Sequence, residues 1–314
     1  MREKRELGRP WSVAVVSARP GEGATLVTAT AGVMIDHRTG PGGQNVILMD
    51  ADLLTGGLTS LLRAWQVPGT DDAYGVGARA GDGGGGLVGY ALDRERRLRD
   101  RGIQHRLQEL RSSDGRDGDM NLLAMRAPGS AALTTLGDLP DVMGRAVERL
   151  GEIAGCLLVD CGHGWNARTR RICETVEHIF VVGRADARAH PDTLRLFGHL
   201  ERAGLLPKTV GHLANSPEPA HFAHGFGRRH TTNGHGPGPL AGLPGQGANS
   251  APRQGRRGDT LPVRTLFGLP YDPRAADEIA KGALPGAHSP FWTALCQGME
   301  ALEPDLFRTG FDIY

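Results

Sequence analysis

Val13-Ala14-Val15-Val16-Ser17-Ala18-Arg19-Pro20-Gly21-Glu22-Gly23-Ala24-Thr25 is the stretch from which the rest of the chain can be read. Val13 to Val16 is a short, mostly β-branched run of the kind that suits a strand buried on both faces. The run breaks at Pro20, Gly21 and Gly23, and a helix-prone segment follows from Ala24 to Ile35. Strand, glycine-rich loop, helix is the setting in which backbone N–H groups and a helix N-terminus cradle phosphate. The phosphate-binding pattern G-x-x-x-x-G-K-[ST] falls on Ala18 to Thr25. Gly23 and Thr25 fit it, Ala18 stands for the first glycine, and Ala24 stands where the lysine belongs. The loop retains the backbone chemistry of an anion site and lacks its most useful side-chain charge.

Outward from this loop, further apolar runs repeat the pattern. Asn45 to Met49 reads as a second buried strand, and it ends in Asp50-Ala51-Asp52. Carboxylates at the carboxyl end of such a strand sit in the crevice where open α/β sheets bind ligands. Cys156 to Val159 ends likewise in Asp160, and His178 to Gly183 and Thr209 to Leu213 are further strands. Helices are expected between them at Leu139–Ile153, Arg168–Glu174 and Asp192–Ala203, and a last one, at Pro290–Leu302, should pack on the sheet. Strands and helices alternating at this spacing predict a three-layer α/β, Rossmann-like fold with a mostly parallel sheet. Val13–Val16, Val46–Met49, Cys156–Val159 and Ile179–Val182 should be interior strands.

Composition bounds the rest. Of 314 residues 39% are apolar, 47 are glycine and 20 proline, so much of the length should be loop. A formal charge of +1 gives no general pull towards nucleic acid or anionic membrane. The four cysteines form no C-x-x-C pair, and Cys156 reads as a small core residue. No secretory signal and no run of about 18 apolar residues is visible, which predicts a cytoplasmic protein without a transmembrane segment. Gly69 to Gly89 reads as a mobile loop, and Tyr90 to Arg111 as a charged, solvated helix interrupted near Gly102; a basic face for a polyanion is the alternative. Ser216 to Pro262 is rich in Gly, Pro and Arg and should be a disordered insertion, leaving 1–215 and 263–314 as one domain. Its arginines (228, 229, 253, 256 and 257) could touch DNA, though a solvated linker fits them better, and its histidines lack regular metal-ligand spacing.

The loop at Arg19–Thr25, the stretch VILMDADLLTGGLTSLL at 46–62 and CLLVD at 156–160, in that order, resemble the ParA/MinD family of deviant-Walker P-loop ATPases. The resemblance implies ATP and Mg²⁺ as ligands. Phosphates would lie against Gly21, Glu22, Gly23, Ala24 and Thr25, and Mg²⁺ would be held through Thr25, Asp50 and Asp160. Asp52 would help place the attacking water. Arg19 aligns with the family's signature lysine, which crosses to the partner's nucleotide in a dimer, so Asp52 and Arg19 are the catalytic candidates. Asn215, Pro270 and Asp272 occupy the places that surround the adenine. Loss of the loop lysine is most similar to the CpaE/TadZ and septum-site-determining branch. The PGEG wording is similar to the bacterial tyrosine kinases, but Tyr314 stands alone where they carry a tyrosine cluster. The resemblance therefore implies a homodimer, with a protein partner, acting as a nucleotide-dependent positioning or partitioning switch at a pole, septum or nucleoid. Hydrolysis should be weak or absent; a scaffold that needs no nucleotide is the alternative.

Overall fold

The computed structural model describes residues 11–39, 45–62, 86–92, 103–110, 120–125, 136–184, 190–216, 265–270, 272–280 and 289–302. Their strands form one sheet in the order β3-β4-β2-β5-β1-β6-β7-β8. In chain order these are β1 (Trp11–Ser17), β2 (Val46–Asp50), β3 (Gln108–Glu109), β4 (Met120–Leu123), β5 (Cys156–His163), β6 (His178–Arg184), β7 (Thr209–Ser216) and β8 (Thr265–Pro270). Every neighbouring pair is parallel except β3 with β4. The helices are α1 (Ala24–Thr39), α2 (Gly57–Leu61), α3 (Gly86–Leu92), α4 (Leu139–Ile153), α5 (Ala167–Thr175), α6 (His190–Arg202), α7 (Pro273–Ala280) and α8 (Pro290–Leu302). This is the three-layer α/β fold expected, and the four strands named as interior are the central block β2-β5-β1-β6.

A strand buried on both faces needs apolar residues at every position. All seven residues of β1 and all five of β2 are buried. Successive side chains therefore feed two cores. Ala14, Val16, Ile47, Met49, Leu157 and Val159 pack on one face with α4, α5 and α6. Val13, Val15, Val46, Leu48 and Leu158 pack on the other with α1 and α8. Phe291, Leu295 and Met299 of α8 are buried there, so the last helix does pack against the sheet. Cys156 is a core residue, as expected, and all four cysteines are buried and unbridged. No helix among the described residues is long and apolar enough to cross a membrane.

Between β2 and β4 the structure corrects the sequence. The described parts of Tyr90–Arg111 are not a solvated helix: α3 covers Gly86–Leu92, starting inside the expected loop, and 103–110 are not α-helical. Leu87, Tyr90 and Ala91 are buried, and the Leu87 amide donates to the Ala124 carbonyl. Spacing of i, i+3, i+4 gives this short helix an apolar face, and its burial outweighs the poor propensity of glycine. Further along, Ile103 is buried, a 3₁₀ turn covers Gln104–Arg106, and β3 adds an antiparallel edge. β7 runs on past the expected end at Leu213 to Ser216, and β8 covers Thr265–Pro270. Gly69–Gly85 and the insertion beyond Ser216, with its arginines and histidines, lie outside the described residues. β7 and β8 are nonetheless paired in one sheet.

Candidate nucleotide and metal site

The chain leaves β1 for β2 and β4 on one side of the sheet, and later for β6, β7 and β8 on the other. β1 thus stands where the winding reverses, and ligands of open α/β sheets bind beyond the strand ends at such a point. The loop Ala18–Gly23 lies there, with α1 starting at Ala24. Gly21 (φ 78°) and Gly23 (φ 97°) adopt a left-handed backbone that glycine reaches without strain. Glu22, 1% exposed, turns its carboxylate back into the loop, where Oε2 accepts from the amides of Ala18 and Arg19, both at 3.0 Å. Burial raises the Glu22 pKa, and these amides oppose the rise. Its side chain therefore braces the loop, leaving its own backbone amide as the group that could face a phosphate.

Strand register brings the acidic residues together. Asp50 and Asp160 are direct neighbours across β2 and β5, and the Ala51 amide donates to the Asp160 carbonyl at 2.9 Å. Asp50 Oδ2 accepts from the Thr59 amide (2.8 Å) and hydroxyl (2.6 Å), while Oδ1 accepts from the Asp52 amide (3.2 Å). Asp160 Oδ1 accepts from the Gly162 amide at 2.9 Å. Asp160 Oδ2 is buried and has no hydrogen-bond partner of regular geometry. Burial pushes the Asp50 carboxyl up to about 6 and the Asp160 carboxyl to about 7. The charge of Asp50 adds to the rise at Asp160; the Thr25 hydroxyl and Gly162 amide pull the other way. Among the described residues neither carboxylate has an ion pair to offset its burial.

The sequence reading missed the residues that hold this arrangement. A Cβ on Gly57 would lie 2.7 Å from Thr25 Oγ1, so α2 closes against Thr25 only because position 57 has no side chain. A Cβ on Gly162 would lie 2.7 Å from Asp52 Cγ. Thr59 joins two elements, its hydroxyl donating to Asp50 and accepting from the Met125 amide at 2.7 Å. Replacing Thr59 with valine strands that buried amide and removes one donor from Asp50. A loss of about 1–3 kcal/mol in unfolding free energy is expected, read as a lowered urea midpoint at unchanged slope.

The two catalytic candidates are otherwise engaged. Asp52, 4% exposed, accepts from the amides of Leu54 (3.1 Å) and Thr55 (3.4 Å) and from the Thr55 hydroxyl, so its carboxylate caps the following turn. Arg19 Nε lies 3.1 Å from Asp192 Oδ2 on α6, an ion pair within one chain. Ala24, 4% exposed, packs in the α1 core. Arg168, in the first turn of α5, is only 9% exposed, and its Nε has no hydrogen bond. Burial lowers its pKa, opposed by the charges of Cys161, Asp52, Asp50 and Asp160, in that order. In sequence it is one arginine of Arg168, Arg170 and Arg171, and only burial sets it apart.

The adenine candidates stand at the same edge of the sheet but apart from the acidic group. β7 and β8 pair Asn215 with Leu269 and Ser216 with Pro270. Three strand spacings, roughly 14 Å, separate β1 from β8. Asp272 Oδ1 accepts from the amides of Arg274 (3.0 Å) and Ala275 (3.3 Å), and Oδ2 from the Ser289 hydroxyl, so the side chain caps α7. Among the described residues no three His, Cys, Asp or Glu side chains form a metal-holding group. Mg²⁺ in phosphate sites asks for less: one or two carboxylates, with substrate phosphates and water completing its shell. The unpartnered Asp160 oxygen, Asp50 and the Thr25 hydroxyl are a donor set of that size.

No protein-family model matches the sequence. Comparison with curated proteins finds no match either. Solved structures do share the fold. The septum site-determining protein MinD of Pyrococcus horikoshii, complexed with Mg-ADP, superimposes with a TM-score of 0.59 at 18% identity, over 93% of this chain and 96% of that one. A ParA family ATPase from Chlorobium tepidum gives 0.55 at 12% identity, over 92% and 99%. A chain of the MinC:MinD cell division protein complex of Aquifex aeolicus gives 0.58 at 14%, over 94% and 96%.

Proposed function

We propose that this chain is an ATP-binding positioning or partitioning switch of the ParA/MinD kind, with weak or absent hydrolysis. The observation that carries the reading is the buried, unpartnered Asp160 oxygen beside Asp50, at the mouth of a glycine loop that opens a helix. Phosphates would be held by the amides from Gly21 to Thr25 and by the N-terminus of α1. Mg²⁺ would be held by the Thr25 hydroxyl, Asp160 and Asp50, and when bound would neutralise phosphate charge. Asp50 would act more as support than as direct ligand, since its oxygens already accept three hydrogen bonds. The adenine would lie towards Asn215, Pro270 and Asp272, approached through backbone rather than through the Asp272 carboxylate.

Weak hydrolysis follows from side chains already in use. Asp52 is tied to Leu54 and Thr55 and would have to leave that turn to orient a water. Arg19 would have to leave Asp192 to reach a partner's nucleotide. An exposed ion pair is worth only about 0–1 kcal/mol, so Arg19 can be released on dimerisation. The alternative, a scaffold that needs no nucleotide, is favoured by Ala24, which leaves the loop without its lysine. A homodimer with a protein partner, at a pole, septum or nucleoid in the cytoplasm, completes the proposal; nucleic-acid contact rests on the insertion arginines alone.

The test is a titration of the full chain with ATP and Mg²⁺, reading binding and phosphate release on one sample. Saturable binding with release near background is expected. Rapid turnover would overturn the weak-hydrolysis reading, and no binding at about millimolar ATP, roughly 4 kcal/mol of affinity, would favour the scaffold.

A further inference from the structure

Buried charged groups with an atom that makes no hydrogen bond gather in one region of the molecule: Asp160 Oδ2 on β5, and Arg168 Nε and Arg171 Nε on α5. They approach the end of β5 from different faces. Ile172 and Cys173 of α5 pack with Cys161, Ile47 and Met49, while α1 packs on the opposite face with Val13, Val15 and Leu48. Arg168 therefore stands behind the acidic group as seen from the phosphate loop. Arg170 and Arg171 on the same helix are more exposed and are paired with glutamates, Arg170 with Glu174 and Arg171 with Glu148. Arg168 lies one turn before Ile172 on the buried face of α5 and has no ion pair with any described carboxylate, while Cys161, Asp52, Asp50 and Asp160 favour its charged form. An arginine buried to this extent without an ion pair is costly to keep unless it offsets charge nearby.

We infer that Arg168 is the resident cation of this site, supplying in cis, from the face of the sheet opposite α1, the positive charge that Ala24 omits from the loop. The inference rests on the reading of this site as one for nucleotide phosphate and metal. A fixed cation behind three carboxylates makes the site more hospitable to phosphate and less hospitable to a divalent ion. Both effects have one origin, the local potential, and they have opposite signs. A side chain that merely fills space would produce neither.

The full chain and its Arg168→Met and Arg168→Lys variants test this in two arms. In the first, ADP affinity is measured in EDTA by displacement of a fluorescent ADP; in the second, Mn²⁺ affinity is measured without nucleotide by electron paramagnetic resonance. Arg168→Met should weaken ADP about tenfold and tighten Mn²⁺ about tenfold, the order of effect of one unit charge acting through a partly buried region. Arg168→Lys, which keeps the charge, should stay close to the parent in both arms. Arg168→Gln replaces the methionine variant if that protein does not fold. Unchanged Mn²⁺ affinity, or both affinities falling together, would overturn the inference. Failure of the parent to bind ADP would count against the nucleotide reading and leave the Mn²⁺ arm to decide Arg168.

Discussion

Replacing Ala24 with lysine should tighten ADP and ATP binding in Mg²⁺ by about one to two decades. Position 24 opens α1, where the phosphate-binding pattern carries its lysine, and the side chain now there is a buried methyl group. A charge-assisted hydrogen bond to phosphate is worth about 1.5–3 kcal/mol, which is the one to two decades expected. The unliganded variant should be somewhat less stable than the parent, because a lysine stem and charge would enter a packed position. Ligand should then raise its melting temperature more than it raises the parent's. Equal affinities in the two proteins, measured by calorimetry at one Mg²⁺ concentration, would show that phosphate does not lie against this loop.

Asp160→Asn should stabilise the metal-free protein above neutral pH, an unusual result for a residue in a binding site. The sign follows from the raised carboxyls. Asp160, at about 7 in the folded chain, and Asp50, at about 6, each stand well above an ordinary value of 3.8. Between about pH 4 and pH 7 the unfolded chain releases these protons while the folded chain retains them. Stability contributed by the neutral carboxyls is thus complete at low pH and lost as pH rises through the folded values. Because one pKa step is 1.36 kcal/mol, the loss is on the order of 3 kcal/mol for Asp50 and about 4 kcal/mol for Asp160, each treated separately.

Asparagine at 160 removes that loss, since Oδ1 can still accept from Gly162 and the amide at the other position can donate to the Thr25 hydroxyl beside it. Asp50→Asn should do the reverse, because Oδ2 accepts from two Thr59 donors and an amide group there would face one of them. Urea titrations at pH 5 and pH 8 in EDTA measure both. Mg²⁺ should restore parent stability at pH 8 and leave Asp160→Asn unmoved. A variant at position 160 less stable than its parent at pH 8 would mean that a cation already neutralises the pair.

The loop and the two aspartate-ended strands were legible because each lies within one short stretch of chain. Gly21 and Gly23 mark the left-handed turns, and continuous apolar runs mark strands covered on both sides. The helix at Leu139–Ile153 has the bounds its period predicts, with Pro140 in its first turn. Tyr90–Arg111 misled because its charge was read as solvation, whereas Tyr90, Ala91, Ile103 and Arg106 are buried, and burial begins earlier, at Leu87. Charge density says little about where a chain turns under a sheet.

By itself, then, the sequence determined the architecture and the glycine loop on which the proposed phosphate site rests, since strand, glycine turn and helix are set by neighbouring residues. It also determined that Asp50 and Asp160 each end a buried strand. That the two are neighbours across β2 and β5, with one carboxylate oxygen left unpartnered, was decided by pairing between strands more than a hundred residues apart. Only the tertiary structure separated Arg168 from Arg170 and Arg171, and placed Arg19 against Asp192. Three arginines on one short helix look alike in sequence. Burial in a region of low dielectric leaves the charge of one of them little screened, while water screens the other two.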